Sequence, residues 1–228
     1  MKDFEYYVSN LEVLYEDNHI IVVKKEKDVL SQKDETDDFS LNEIVKEYLK
    51  RKYDKPGNVY LGLVHRLDRR VSGVMVLAKT SKAASRLSKS IMEHDFEKVY
   101  LAYVEGILDK DGSIDVKISK QDNRAIIDKN GKDAHLDYKV INNDGKNTYV
   151  EVLLESGRYN QIRLSFASMG HPIYGDLKYG AKVKSDDLGL CSYKIGFVHP
   201  VTREYMRFSL IPKEDIWKDM KIKKLNSF

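Results

Sequence analysis

The chain has 228 residues, of which 42% are hydrophobic and 33% are charged, and its formal net charge is +3. No apolar run approaches the length of a membrane span, the N-terminus lacks the apolar core of a signal peptide, and the single Cys191 excludes an intrachain disulfide. We therefore expect a cytoplasmic globular protein that forms one domain over residues 1–228.

The basic residues are more informative than the net charge, because a modest total can still be concentrated on one face. Three clusters stand out, and they are Arg66, Arg69, Arg70, Lys79, Lys82, Arg86 and Lys89; Lys178, Lys182 and Lys184; and Lys218, Lys221, Lys223 and Lys224. A polyanionic partner would have to be bound through such clusters.

The first half of the chain alternates predicted strands and helices. Residues 11–24 form two short strands that turn at Asp17-Asn18. A capping box at Ser40 and Glu43 starts a helix that runs to about residue 53. Two buried strands at residues 60–64 and 74–78 are followed by a helix over residues 80–94.

The second half is predicted to be mainly sheet. Residues 97–105 are apolar on both faces, which indicates a central strand. Residues 113–154 alternate polar and apolar side chains between Asn, Asp and Gly, as antiparallel hairpins do. Residues 157–163 lead into a helix that stops at Gly170, and closing strands continue to Pro212.

The connection between the two buried strands of the first half contains an isolated acid among bases. Asp68 is flanked by His65, Arg66, Arg69 and Arg70. Neighbouring cations favour the ionised carboxylate, so the group suits a nucleophile better than a proton donor. The alternative is a structural aspartate that pairs with an arginine and stiffens the loop.

The block H-R-L-D-x-x-x-S-G over residues 65–73 resembles the signature of the RluA-type pseudouridine synthases, which isomerise uridine in RNA. Residues 157–163 resemble the G-R-x-H-Q-I-R element of that family, and residues 170–180 resemble its G-H-P-I-x-G-D and Y-G continuation. The resemblance covers residues 11–215. It implies an α+β fold with a mixed, largely antiparallel, bent sheet, flanking helices and a central catalytic cleft.

The resemblance also implies roles for individual residues. Asp68 is the expected nucleophile, Arg163 is expected to pair with it, and Tyr100 of the K-x-Y element is expected to stack on the base and take the C5 proton. Whether the aspartate attacks C1′ or draws a proton from C2′ stays open. The expected RNA-binding residues are His65, Arg66, Arg69, Lys82, Arg86, Arg158, Asn160 and Gln161.

The expected partner is ribosomal or transfer RNA. We expect no metal and no organic cofactor, because the sequence shows no Walker-type loop, no G-x-G-x-x-G and no cluster of metal ligands. We also expect a monomer without an obligatory protein partner, without membrane association, and without the separate N-terminal RNA-binding domain of many relatives.

The sequence departs from the family pattern at three places. We expect these departures to shift the substrate range or to slow the enzyme. The usual Lys-Pro-x-Gly turn keeps only Lys25, Val71 replaces a threonine, and Asn160 replaces a histidine. Without Pro and Gly, the shape of the turn at residues 25–28 cannot be inferred from the pattern. Neither Val71 nor Asn160 removes a proposed chemical group.

Functions of other classes fit the sequence less well. A glycoside hydrolase needs two carboxylates about 5–10 Å apart, and the motif offers one. A dication beside Arg66, Arg69 and Arg70 would be repelled, which disfavours a metal hydrolase. A catalytically silent RNA-binding module is the main rival, although it would have no need of Asp68, Tyr100 and Arg163 together.

Overall fold

A computed structural model describes residues 3–221, 225 and 228. Lys223 and Lys224 of the C-terminal lysine cluster lie outside these residues. The described helices are α1 (Phe4–Ser9), α2 (Leu41–Lys52), α3 (Ser81–Met92) and α4 (Gln161–Ser168), with 3-10 turns at Leu177–Tyr179 and Asp215–Trp217. The strands are β1 (Val13–Glu16), β2 (Ile20–Lys25), β3 (Gly62–Leu63), β4 (Ser72–Ala78), β5 (Glu97–Glu105), β6 (Gly112–Gln121), β7 (Arg124–Ile127), β8 (Lys132–Asn143), β9 (Asn147–Leu154), β10 (Leu190–Val198) and β11 (Tyr205–Ser209).

The chain divides into two compact units. The first unit comprises residues 1–96 and 194–210, and the second comprises residues 97–193 and 211–228. Sheet and helices occur together in both units, which confirms the predicted α+β class.

In the first unit, β2 pairs with β1 on one side and with β4 on the other. The short β3 also pairs with β4, β11 pairs with the end of β10, and all four ladders are antiparallel. All seven residues of β4 are buried, as expected for an apolar strand covered on both faces. Its side chains pack with those of β2, α3 and β10 in one hydrophobic cluster.

Local signals explain the helices of the first unit. The Ser40 hydroxyl accepts from the Glu43 amide, and the Glu43 carboxylate accepts from the Ser40 amide, so the predicted capping box is confirmed at α2. At α3, the Thr80 hydroxyl accepts from the Ala83 amide, which is a single N-cap bond. These caps satisfy amides that have no partner within the helix.

In the second unit, five strands follow the order β5-β9-β8-β6-β7, and every ladder between them is antiparallel. This confirms the hairpins predicted from residues 113–154. Seven of the nine residues of β5 are buried, which agrees with its prediction as a strand that is apolar on both faces. Aromatic side chains fill the adjoining core, where the rings of Tyr103 and Tyr149 stack with centroids 4.3 Å apart.

Two features differ from the sequence prediction. Helix α1 was not predicted, and the strand expected at residues 60–64 is reduced to Gly62–Leu63. Just before that strand, the Leu61 carbonyl accepts a hydrogen bond from the Asn42 side chain of α2. Within the described residues, no helix is both long and apolar enough to cross a membrane.

Candidate active site

Asp68 lies in the loop between β3 and β4, as predicted, and is half-buried. Its Oδ1 accepts a hydrogen bond of 3.2 Å from the Arg70 amide, and its carbonyl accepts one of 3.0 Å from the Val71 amide. The carboxylate is thus oriented by the backbone of its own turn. Val71, which replaces the usual threonine, is buried.

The loop backbone is clamped on both sides of Asp68. Before it, the Ser31 hydroxyl donates to the Leu67 carbonyl at 2.8 Å and accepts from the Leu67 amide at 3.0 Å. After it, the ammonium group of Lys25 donates to the Arg69 carbonyl at 3.0 Å. The position of the Asp68 carboxylate therefore depends on residues more than 30 positions away in sequence.

Lys25 is a fully buried cation at the end of β2. Its ammonium group also donates to the carbonyls of Glu26 and Val29, at 2.9 and 2.6 Å. Burial lowers its pKa to about 7, and the negative charge of Asp68 is the largest of the opposing effects. Lys25 and Asp68 therefore interact electrostatically within the first unit.

The turn after Lys25 is formed without the Pro and Gly of the family pattern. Asp28 stands where the family pattern has glycine, and it adopts the left-handed conformation with φ 64°. Aspartate tolerates this region better than most residues. The Asp28 amide donates to the Arg69 carbonyl at 2.9 Å, so the turn contacts the Asp68 loop without the usual Pro and Gly.

The three predicted RNA-binding residues beside Asp68 have different surroundings. His65 accepts a hydrogen bond from the Val76 amide at Nε2 (3.1 Å) and lies against the ring of Phe96, so it supports β4. Arg69 forms an ion pair with Asp38 at 2.5 Å. Arg66 is exposed, and its guanidinium has no hydrogen bond or ion pair among residues 3–221, 225 and 228.

The predicted basic face of α3 is only partly available. Arg86 donates to the carbonyl of Pro200 at 2.5 Å and therefore holds the chain after β10. Lys89 pairs with Glu93 on the same helix. Lys82 is exposed and makes no polar contact within the described part of the chain.

Tyr100 lies in the second unit, on β5, and is 8% exposed. Its hydroxyl is hydrogen-bonded to the side chain of Ser192, which lies on β10. Burial raises the pKa of Tyr100 to about 12, and the Ser192 hydrogen bond opposes that rise. At neutral pH the side chain is therefore a phenol that can stack, donate and accept.

Arg163 is buried on α4 and forms a two-point ion pair with Asp176. Its Nε lies 2.7 Å from Oδ2 and its NH2 nitrogen lies 2.6 Å from Oδ1, while the side chains are 6% and 0% exposed. The guanidinium also lies 5.0 Å from the ring centroid of Tyr179. Such a pair fixes the plane of the arginine.

Gly175 explains how Asp176 reaches this position. Its φ is +76°, and a Cβ at this residue would lie 2.2 Å from the Asp187 carbonyl oxygen. Only glycine fits both conditions. In the G-D pair of the family pattern, the backbone conformation thus requires the glycine, and the aspartate supplies the carboxylate that holds Arg163.

The other predicted residues near α4 share one segment. Arg158 is exposed and its Nε donates to the Asp133 carbonyl. Asn160 adopts the left-handed conformation, with φ 50°, and donates to the Tyr179 hydroxyl at 3.2 Å. Gln161 is buried. Its side-chain oxygen accepts hydrogen bonds from the Ser156 hydroxyl and the Arg158 backbone amide, and its side-chain nitrogen donates to the His135 carbonyl. Gln161 therefore anchors the start of α4.

One group of possible metal ligands occurs among the described residues, on β8 and directly after β9. His135, Asp137 and Glu155 of the second unit place one ligand atom each within 4.8 Å of one another. Asp115 also bonds to Nδ1 of His135 at 2.7 Å and raises the pKa of that imidazole. The group is half-buried to exposed, and these contacts account for the imidazole without an ion.

Sequence reasoning missed two supporting residues. The turn motif contains Lys25 and the family match contains Asp176, but neither pattern indicates that these residues hold the Asp68 loop and the Arg163 side chain. The signal for Asp176 was its position after Gly175. No local signal marks Lys25 as buried, because a lysine at the end of a strand is usually exposed.

Comparison with known proteins agrees with the motifs. The model of the RNA pseudouridylate synthase family matches residues 19–168. An uncharacterized RNA pseudouridine synthase of Aquifex aeolicus is 38% identical in an alignment 165 positions long that covers 65% of this chain and 52% of the relative. Ribosomal large subunit pseudouridine synthase D of Vibrio cholerae is 30% identical in an alignment 226 positions long that covers 90% of this chain and 68% of the relative.

Solved structures agree in fold. Human RNA pseudouridylate synthase domain containing 4 has a TM-score of 0.78 and 19% identity, with 92% of this chain and 93% of that chain covered. Human RNA pseudouridylate synthase domain containing 1 has a TM-score of 0.72 and 23% identity, with 90% and 84% covered. The chain spans about half to two thirds of the length of the relatives it matches. By its motifs, its family match and its fold, the chain belongs to the RluA-type RNA pseudouridine synthase family.

Proposed function

We propose that this protein is an RNA pseudouridine synthase that isomerises uridines in ribosomal or transfer RNA. The observation that carries the proposal is the presence of Asp68, Tyr100 and Arg163 together in a chain that belongs to the family. Several relatives are named as ribosomal large subunit enzymes, so large-subunit ribosomal RNA is the first substrate to test.

The reaction breaks the bond from C1′ to N1, rotates the uracil and forms a bond from C1′ to C5. The C5 proton is lost and N1 gains one, so the composition of the RNA is unchanged and no co-reactant is needed. Asp68 acts as the anion that opens the glycosidic bond, either at C1′ or through the C2′ proton. Its half-buried position and backbone-fixed carboxylate support this role.

Arg163 and Tyr100 complete the proposed chemistry. The guanidinium of Arg163, held by Asp176, serves as a fixed cation that stabilises the ionised nucleophile. Tyr100 stacks on the uracil, and in the last step its hydroxyl relays the C5 proton. A pKa of about 12 favours relay by the phenol over a standing phenolate.

The proposed RNA contacts are of two kinds. Arg66 and Lys82 are exposed cations without partners in the described chain, so they can bind phosphate directly, and Arg66 can stack on a base after the uridine is flipped out. His65, Arg86 and Gln161 bond to the protein itself and act by positioning their neighbours.

Asp68→Asn tests the proposal because it removes the charge and keeps the size. We expect no pseudouridine from this variant, with RNA affinity and melting temperature close to those of the wild type. Asp37→Asn, which removes an exposed carboxylate of the same unit, is the matched control and should keep full turnover. Pseudouridine is measured by chemical labelling and sequencing of ribosomal and transfer RNA.

Product formation by Asp68→Asn at the wild-type rate would reject the aspartate mechanism. A wild-type protein that binds RNA tightly but yields no pseudouridine in any cellular RNA would instead identify a silent RNA-binding module.

A further inference from the structure

Three cations and an exposed tyrosine ring lie together at the end of the β6–β7 hairpin. Lys120, Arg124 and Lys178 are exposed, and Tyr159 is 40% exposed. All belong to the second unit. Asp122 lies in the turn of this hairpin and carries one negative charge. The three cations therefore leave the group with an excess of positive charge.

The tip of the β6–β7 hairpin is held in place through a single backbone carbonyl oxygen. Asp122 and Asn123 both have positive φ, at 45° and 58°, which is the pattern of a tight two-residue turn. The Asn123 carbonyl accepts a hydrogen bond of 3.1 Å from the Tyr159 hydroxyl and one of 2.5 Å from the Lys178 ammonium group. The tip is therefore tied to the segment before α4 and to the 3-10 turn at Leu177–Tyr179.

The aromatic rings hold the cations in place. The ammonium groups of Lys120 and Lys178 lie 5.0 and 5.9 Å from the ring centroid of Tyr159. The guanidinium of Arg124 lies 5.2 Å from the ring of Tyr179, whose hydroxyl accepts from the Ala125 amide. A surface lysine normally loses rotamer freedom when it binds an anion, and this loss lowers affinity. Cation–π contacts already restrict the side chain in the free protein, so less freedom is lost on binding.

This cationic group is physically connected to a proposed catalytic residue. Tyr179 contacts the guanidinium of Arg124 at 5.2 Å and that of Arg163 at 5.0 Å. Tyr159 directly precedes Asn160, whose side chain donates to the Tyr179 hydroxyl. An extended polyanion bound at the hairpin tip would thus lie along the segment that positions Arg163.

We propose that Lys120, Arg124 and Lys178, ordered by Tyr159 and Tyr179, bind the phosphate backbone of the RNA substrate. This inference rests on the proposed function, because it assigns the polyanion to the RNA that is modified. An RNA strand fits the site because phosphates recur along it and can engage several fixed cations, whereas the exposed aromatic ring tolerates any adjacent base.

The test uses Lys120→Gln/Lys178→Gln and a control with the same change of charge. Lys110→Gln/Lys146→Gln removes two exposed lysines of the same unit, which lie before β6 and in the β8–β9 turn, at the other end of these strands from the hairpin tip. RNA affinity is measured over a series of salt concentrations, and kcat/KM is measured for uridine isomerisation.

We expect the Lys120→Gln/Lys178→Gln variant to lose roughly tenfold in RNA affinity at low salt. Its salt slope should fall in magnitude by about 1.5, because each lost phosphate contact removes about 0.7–0.9. Its kcat/KM should fall through a higher KM. The control should match the wild type in all three measurements. Tyr159→Leu should lower affinity in the same direction with an unchanged melting temperature.

Two results would overturn the inference. One is an unchanged salt slope and KM in Lys120→Gln/Lys178→Gln while the wild type still forms pseudouridine. The other is competition by polyglutamate as strong as that by RNA, which would identify an acidic protein as the partner. If the wild type forms no pseudouridine but the variant still loses salt-dependent RNA binding, the proposed function fails and the binding surface stands.

Discussion

The buried pair of Arg163 and Asp176 allows the sharpest stability prediction. Asp176→Asn keeps the shape of the side chain but removes its charge, and the amide nitrogen then faces a guanidinium N–H group. Because both side chains are almost fully buried, the guanidinium loses a charged, two-point partner in a poorly solvated position. Breaking such a pair costs about 3–5 kcal/mol in the free energy of unfolding. For a chain of this size that corresponds to a melting temperature lower by roughly 6–20 °C.

The same geometry on the surface supplies the control. Arg51 contacts both oxygens of Glu5 at 2.6 and 2.9 Å, and these side chains are 46% and 60% exposed. Glu5→Gln should therefore cost much less stability than Asp176→Asn, because solvent-exposed ion pairs contribute little. Urea unfolding of both variants at pH 7 measures the two costs. Equal small losses for Asp176→Asn and Glu5→Gln would refute the argument from burial.

A double variant separates stability from catalysis. Arg163→Met/Asp176→Leu removes both charges and should recover part of the stability that Asp176→Asn loses, since apolar replacement of a buried pair is often tolerated. It should remain inactive in uridine isomerisation, because the cation proposed to act beside the nucleophile is gone. Recovery of turnover together with stability would show that Arg163 has a structural role alone.

Two further predictions concern pH. The pKa of Lys25 is about 7 in the folded protein, against an ordinary value of 10.5. The unfolded chain therefore binds this proton more tightly, and the contribution of Lys25 to stability rises between about pH 7 and 10.5. Lys25→Met should reduce the increase of the urea midpoint with pH over that range, and an unchanged increase would exclude Lys25 as its source. His135 has a raised pKa through its hydrogen bond to Asp115, so its contribution is present below about pH 6.5 and is lost as pH rises through the folded value. The pair is partly exposed, so His135→Gln should remove less than about 1 kcal/mol at pH 5.5; a larger loss at pH 8 than at pH 5.5 would contradict this sign.

Features that depend on neighbouring residues were predictable from sequence. The capping box at Ser40 and the cap at Thr80 lie within four residues of their partners, and both are present. The loop position of Asp68 followed from the apolar strands on either side. Helix α1 was missed because its six residues are too few to show a helical period. Its Glu5 pairs with Arg51 of α2, a contact that the sequence does not indicate.

The supports of the site were not predictable because they are long-range contacts of buried polar groups. The periodicity of a strand says which side chains are apolar, but it does not say where a lysine at its end will bond. Lys25 bonds to a carbonyl 44 residues away, and Arg163 bonds to a carboxylate 13 residues away across a turn. The family pattern contains both positions, but it does not indicate the partners of either residue.

The way in which the Asp68 loop is held also decides how its mutation should be interpreted. Ser31 bonds to the backbone of Leu67, and Lys25 bonds to the backbone of Arg69, so neither clamp uses the Asp68 side chain. Asp28 contacts the same Arg69 carbonyl in place of the glycine in the family pattern. Because the main chain carries these contacts, Asp68→Asn should leave the loop in position. A loss of turnover in that variant would then report the missing carboxylate charge, whereas a loss caused by Lys25→Met would report a displaced loop.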